Sequence, residues 1–188
     1  MKKLLLLTVL VFGLYAETTT ELQKACELNN SRACGKLGGM LILGKKVKKD
    51  YKLARQYLSK ACKLNDVLAC NALAPLYHHG YGGKKDYSKA IKYYKKACKS
   101  NIGMSCLYLG LLYDRDKGIK NDVRKANIYY KKACDLNYGQ GCTAFGLAYY
   151  AGRGGVKIND SKAKQYFYKA CILKDKDGCR LYKKLGGR

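Results

Sequence analysis

Proline is nearly absent from this chain: Pro75 is the only one in 188 residues. A loop-rich or polyproline architecture is thereby excluded, and a folded, helical chain is favoured by the 48% of hydrophobic residues. Histidine is almost as scarce, with His78 and His79 the sole pair. Adjacent side chains diverge on a helix, so a histidine-based metal site has little to build on. Acidic residues number only 13 against 38 lysines and arginines, for a formal charge of +25. Such a surface attracts anionic partners, and its associations weaken with salt; a merely solubilising role for the charge is the plainer alternative. Long apolar runs are missing too. The longest, within MKKLLLLTVLVFGLYA, covers Leu4 to Leu14, well short of the roughly 20 residues of a spanning helix. Lys2 and Lys3 before it and Ala16 after it read as a secretory signal peptide over residues 1–16. Export to the periplasm or beyond the cell is the expected destination, with no membrane span.

What the chain has in plenty is cysteine, ten in all, paired eight residues apart: 26 and 34, 62 and 70, 98 and 106, 134 and 142, 171 and 179. Zinc sites space cysteines two to four residues apart, and no pair here is that close. In an exported protein an even count points to disulfides, with reduced thiols the alternative. First members of the pairs recur at intervals of 36, 36, 36 and 37 residues, a period that signals stacked supersecondary units.

Other columns share the period. Ala54, Ala90, Ala126 and Ala163 stand eight before the first cysteine, and Leu58, Tyr94, Tyr130 and Phe167 four before it. Alanine, large apolar residue and cysteine at i, i+4 and i+8 form one face of a helix, B. Asp50, Asp86, Asp122 and Asp160 are its expected N-caps. A second helix, A, starts near the second cysteine. It carries Leu37, Leu73, Leu109 and Phe145, then a small column of Gly38, Ala74, Gly110 and Gly146 that allows close helix approach. Pro75 falls inside one helix A, where a kink or a cost of about 3 kcal/mol is expected.

Within one unbroken helix, cysteines eight apart would be separated by about 12 Å, whereas a disulfide needs Cα atoms roughly 4.4–6.8 Å apart. The chain must turn between them. Asn29, Asn65, Asn101 and Asn137 stand at the turn, where asparagine tolerates the left-handed conformation that ends a helix. Each pair, Cys26–Cys34, Cys62–Cys70, Cys98–Cys106, Cys134–Cys142 and Cys171–Cys179, is thus expected to staple the end of one helix B to the start of the next helix A. Lys174 replaces the asparagine and Lys183 the small residue in the last unit, so the final helix reads as a polar cap.

The stretches GLAYYAG (146–152) and LGGMLILGKKVKKDYKLARQYLSKAC (37–62) resemble Sel1-like repeats, relatives of the tetratricopeptide type. With cysteines eight apart behind a signal peptide, the chain resembles the Helicobacter cysteine-rich proteins over essentially its whole mature length. The fold expected is all-α: a right-handed α/α superhelical solenoid over 17–188, with units at 31–66, 67–102, 103–138 and 139–175. A half-unit at 17–30 and a capping helix at 176–188 complete it. The resemblance further implies secretion, penicillin binding with slow β-lactam hydrolysis, and interaction with the host.

Residues for hydrolysis are thin. One S-x-x-K, Ser161 to Lys164, lacks the S-D-N and K-T-G companions of serine β-lactamases; its serine suits a helix start. His78 is a second weak catalytic candidate, as a general base. Exposed positions of helix A, Asn71, His78, Tyr108, Asp114, Arg115, Thr143 and Tyr150, are the expected lining of a concave groove. The ligand is either a β-lactam or peptidoglycan-derived small molecule, or a peptide or host protein; a non-catalytic scaffold is the alternative to the enzyme. No cofactor or metal is called for, and a monomer is expected. The 18 tyrosines and the basic charge raise nucleic acid as a partner; the repeat columns give those tyrosines packing work, and nucleic acid is set aside. Lys95, Lys96, Lys131 and Lys132 are expected on the outward side of helix B.

Overall fold

The computed structural model describes residues 18–115 and 120–187; of Arg115 only the backbone is described. The proposed signal peptide and Arg188 lie outside the described residues. Among the described residues every regular element is a helix: α1 (Thr19–Glu27), α2 (Ser31–Leu43), α3 (Tyr51–Lys63), α4 (Val67–His79), α5 (Tyr87–Lys99), α6 (Gly103–Arg115), α7 (Val123–Asp135), α8 (Gly139–Ala151), α9 (Asp160–Ile172) and α10 (Lys176–Lys184). Each packs on its neighbour in sequence, and contacts also join α2 to α4, α6 to α8 and α8 to α10. The A helices α2, α4, α6 and α8 therefore form one layer of the solenoid, and the B helices the other.

The same turn links each B helix to the following A helix. After α3, Asn65 is left-handed at φ 67°. Its N–H donates to the Cys62 carbonyl, and the Asp66 N–H donates to the Ala61 carbonyl. That pair of hydrogen bonds is the Schellman motif. Asp66 then caps α4, its carboxylate accepting from the Ala69 N–H at 2.9 Å, so one residue ends one helix and opens the next. Asn29, Asn101, Asn137 and Lys174 repeat the left-handed geometry. In each turn the flanking cysteines are bonded, with Cα atoms 4.3–4.8 Å apart. Lysine has no local hydrogen bonding to favour this conformation as asparagine does; at 174 the clamped turn imposes it. Replacing Asn101 by glycine should leave stability within a few tenths of a kcal/mol, whereas alanine should lower it by about 1 kcal/mol, read from urea midpoints.

Packing follows the columns. Ala54, Ala90, Ala126 and Ala163 are fully buried, and Leu58, Tyr94, Tyr130 and Phe167 nearly so. Each of these larger residues seats on the small column of its partner helix. A Cβ placed on Gly110 would lie 2.6 Å from the Tyr130 ring, and one on Gly146 would lie 2.7 Å from the Phe167 ring.

Two expectations need correction. The N-cap of α9 is Asn159, which accepts from the Lys162 N–H at 2.8 Å, and Asp160 sits in the first turn. Counted from the cysteine, position 159 is the one equivalent to Asp50, Asp86 and Asp122; the extra residue of the 37-residue unit lies before it. Lys96 does not point freely outward. Its ammonium donates to the Cys62 carbonyl at 2.7 Å and to Asn65 Oδ1 at 3.0 Å, binding one repeat to the turn before it; Lys60 reaches the Glu27 carbonyl in the same way. The C-terminal carbonyls of the preceding B helix attract a cation there. α4 runs through Pro75 without a break and keeps the 13-residue length of α2, α6 and α8.

Candidate functional site

The face of the A layer away from the core repeats at three- and four-residue spacing. α4 offers Leu68, Ala72 and Pro75; α6 offers Met104, Tyr108 and Leu111; α8 offers Ala144 and Leu147. Leu68 is 70% exposed and Met104 37%, and the others are half-buried. This is an apolar strip along the middle of the solenoid. Towards α2 the same positions become Arg32, Lys36 and Gly39. There a shallow hollow of about 430 Å³ lies between α1 and α2, lined by Leu22, Met40 and Leu43 with Lys36, Lys45 and Lys46. An apolar face ending in a basic rim suits an extended chain carrying both apolar and anionic groups.

Of the expected groove residues, Tyr108 belongs to this strip, its ring stacked on Tyr94 at 5.5 Å. Tyr150 is exposed near the end of α8. Asn71 is half-buried and accepts from the Ser105 hydroxyl at 2.7 Å, joining α4 to α6. The two histidines do not diverge as expected: His78 stacks on His79 at 4.4 Å, and it meets the Tyr94 ring edge-on at 6.3 Å. Two members do not face a groove. Thr143 is buried and donates to the Asp175 carboxylate. Asp114 is buried, accepting from Arg153 Nη2 at 2.7 Å and from the Tyr130 hydroxyl at 3.2 Å. In both the polar end is satisfied inside the repeat interface, which polar side chains must be when they leave water. The Arg115 side chain lies outside the described residues.

Ser161 is exposed on the first turn of α9. The ammonium of Lys164, the lysine of its motif, donates to the Gly186 carbonyl at 2.8 Å. That bond ties α9 to the segment that follows α10.

Beside Asp114 is a cavity of about 80 Å³, walled by Leu111, Val123, Ala144, Leu147 and Ala148. Asp114, Asn127, Tyr130 and Arg153 supply its polar atoms. The Asn127 amide donates to the carbonyls of Arg153 and Gly154, fixing the loop that carries Arg153. Arg153 and Asn127 were not anticipated from the sequence. Aligning the columns could have exposed the site: the position six after the second cysteine reads Met40, Leu76, Leu112 and then Ala148. Among the described residues no cluster of three or more metal-ligating side chains occurs.

A second surface repeats from unit to unit. Tyr77 stacks on Tyr93, Tyr113 on Tyr129 and Tyr149 on Tyr166, with ring centroids 5.6–5.8 Å apart. Lys89, Lys125 and Lys162 lie over Tyr77, Tyr113 and Tyr149. Burial pushes the Tyr129 and Tyr166 hydroxyls up, aided by the neighbouring tyrosine. The capping carboxylates Asp86 and Asp122 are held below their usual range, mainly by the backbone N–H of Lys89 and Lys125 and further by those lysines' side chains. A carboxylate with a depressed folded pKa contributes stability above its unfolded value, lost as pH falls through the folded one. Thermal melts should therefore hold steady near neutrality and fall below about pH 4. Asp86→Asn with Asp122→Asn should flatten that acid limb.

Comparison with known proteins supplies the family. The Sel1 repeat model matches residues 31–66, 67–102, 103–138 and 143–175. Helicobacter pylori cysteine rich protein B is 41% identical, over 73% of this chain and 98% of that one, with a TM-score of 0.56. A Sel1 repeat protein from Oxalobacter formigenes is 26% identical over 89% of this chain and 74% of that one, with a TM-score of 0.76. A protective antigen of uropathogenic Escherichia coli with an SLR fold superposes at a TM-score of 0.83 with 22% identity. It shares the fold over 89% of this chain, which spans only 36% of that antigen's length. A search of the curated proteins finds no match. With Sel1 repeats over most of its length and a disulfide across each turn from a B helix to the following A helix, the chain belongs to the Sel1-repeat family, in its Helicobacter-type cysteine-rich branch.

Proposed function

We propose that the protein works outside the cytoplasm as a non-catalytic binding scaffold, holding an extended acidic peptide along its A-helix face. The observation that carries this reading is the strip from Leu68 through Tyr108 to Leu147, left uncovered and bordered by Arg32 and Lys36. Apolar contacts give such a groove affinity, and the excess of basic residues over 13 acidic ones favours an anionic ligand. Location outside the cytoplasm is supported by the five disulfides. No helix among the described residues is long and apolar enough to cross a membrane.

A fluorescein-labelled decapeptide alternating glutamate and leucine is the probe. Saturable binding is expected, weakened about tenfold or more by Leu68→Glu with Leu111→Glu and weakened again by salt. No binding, or equal binding by the double variant, overturns the reading. β-Lactams enter as ligands of the same face rather than as substrates: opening the ring needs an activated nucleophile, and the Lys164 ammonium donates to the Gly186 carbonyl. Nitrocefin should stay unhydrolysed above background with pure protein. Turnover abolished by Ser161→Ala or His78→Ala would establish an enzyme instead.

A further inference from the structure

The interface between the third and fourth units departs from the repeat at one place. Leu76 and Leu112 fill the core at their shared position, with 3% and 0% exposure, but the fourth unit has Ala148 there. The missing branched side chain leaves the 80 Å³ hollow. At its edge, the column that holds Ile42, His78 and Tyr150 elsewhere holds Asp114, whose side chain is 5% exposed against 47% for its partner Arg153. A void and a buried carboxylate both destabilise a core. A unit built for stability alone would use the leucine found twice before. The two departures lie side by side, and the walls Leu111, Ala144 and Leu147 belong to the binding strip.

We infer that this hollow is an anchoring pocket for a carboxylate borne on a small aliphatic group. Arg153 at the rim takes the carboxylate, for which its fork of five N–H donors is suited. Leu111, Val123, Leu147 and Ala148 enclose the alkyl group. Asp114 is a positioning residue: its oxygens accept from Arg153 and Tyr130, so it orients the guanidinium rather than receiving a ligand cation. At about 80 Å³ the hollow excludes a whole drug-sized ligand, which fills about 300–1,000 Å³. A methyl or isopropyl group fits. The chemistry is shared by a peptide ending in alanine or valine and by a free short-chain fatty acid. The inference rests on the scaffold reading and adds to it where an extended ligand ends.

Calorimetric titration of the intact, oxidised chain tests it, with N-acetyl-alanyl-alanine, its C-terminal amide and isobutyrate as probes. The acid should bind about tenfold or more tightly than the amide, and Arg153→Gln should erase that difference. Ala148→Leu should abolish acid binding while melting at or above the wild-type temperature, because leucine occupies this position in the second and third units. Preference for the dipeptide over isobutyrate assigns the pocket to a peptide terminus; equal binding assigns it to short acids. Equal affinity for acid and amide, binding retained in Ala148→Leu, or no binding of any acid overturns the inference. The glutamate–leucine decapeptide run beside it separates the two proposals: if it binds wild type while none of the acids does, the scaffold stands and the pocket fails.

Discussion

Cys98→Ala with Cys106→Ala should lower the unfolding free energy by about 2–4 kcal/mol and introduce an unfolding intermediate. On the chain-entropy model, closing a loop of this size contributes about 2.6 kcal/mol. Both sulfurs are buried, so truncation to alanine adds a small packing loss. Position decides the rest. A solenoid unit contacts only its neighbours, and its stability is a sum of unit and interface contributions. Losing the central bridge uncouples the two halves, whereas losing Cys171–Cys179 frays only α10. The terminal variant should therefore show a smaller loss and one transition. Full reduction removes five such contributions, comparable to the whole stability of a domain, about 5–15 kcal/mol. The reduced chain should lose most of its helical circular dichroism at 37 °C. Equal losses from central and terminal bridges would mean that the rod unfolds as one unit.

Phe167→Ala should cost about 3–5 kcal/mol, among the largest effects of any single substitution here. The ring is 1% exposed and lies over Gly146, with Tyr166 and the rest of α9 fixing its approach. Gly146→Ala alone should cost about 1–3 kcal/mol by overpacking, despite the better helix propensity of alanine. Combined, the two should cost less than their sum, because the new methyl enters space the ring has left. Urea titration of the four proteins measures the coupling. Strict additivity would show that the glycine column exists for some reason other than the large residue facing it. The second unit offers an internal control, since Ala74 already stands opposite Tyr94.

The scaffold was legible because it is written four times. One helix pair is ambiguous, but an alanine, a large residue, a cysteine and an asparagine recurring with one period leave little freedom. The turn could be deduced from cysteine spacing alone, since a helix cannot bring such a pair together. The repeat was less informative about anything made between units. Lys96 looked like solvent-facing charge because its acceptors, Cys62 and Asn65, belong to the preceding turn. Asp114 and Thr143 looked like groove residues because helical position alone ignores partners arriving from elsewhere. Arg153 comes from a loop 39 residues after Asp114, and Asp175 from the cap 32 residues after Thr143. The site is hard to read because it lies where the period is broken, so only deviations from the columns report it.

Peptide mapping of the oxidised protein without reduction addresses the architecture directly. Trypsin cuts after Arg32, Lys63, Lys99 and Lys174, inside four of the five turns. Four crosslinked peptide pairs are expected, Cys26 with Cys34, Cys62 with Cys70, Cys98 with Cys106 and Cys171 with Cys179, while Cys134 and Cys142 share one peptide closed on itself. Any bond joining cysteines of different turns, or a population of free thiols, would contradict the clamped-hairpin solenoid on which groove and pocket both stand.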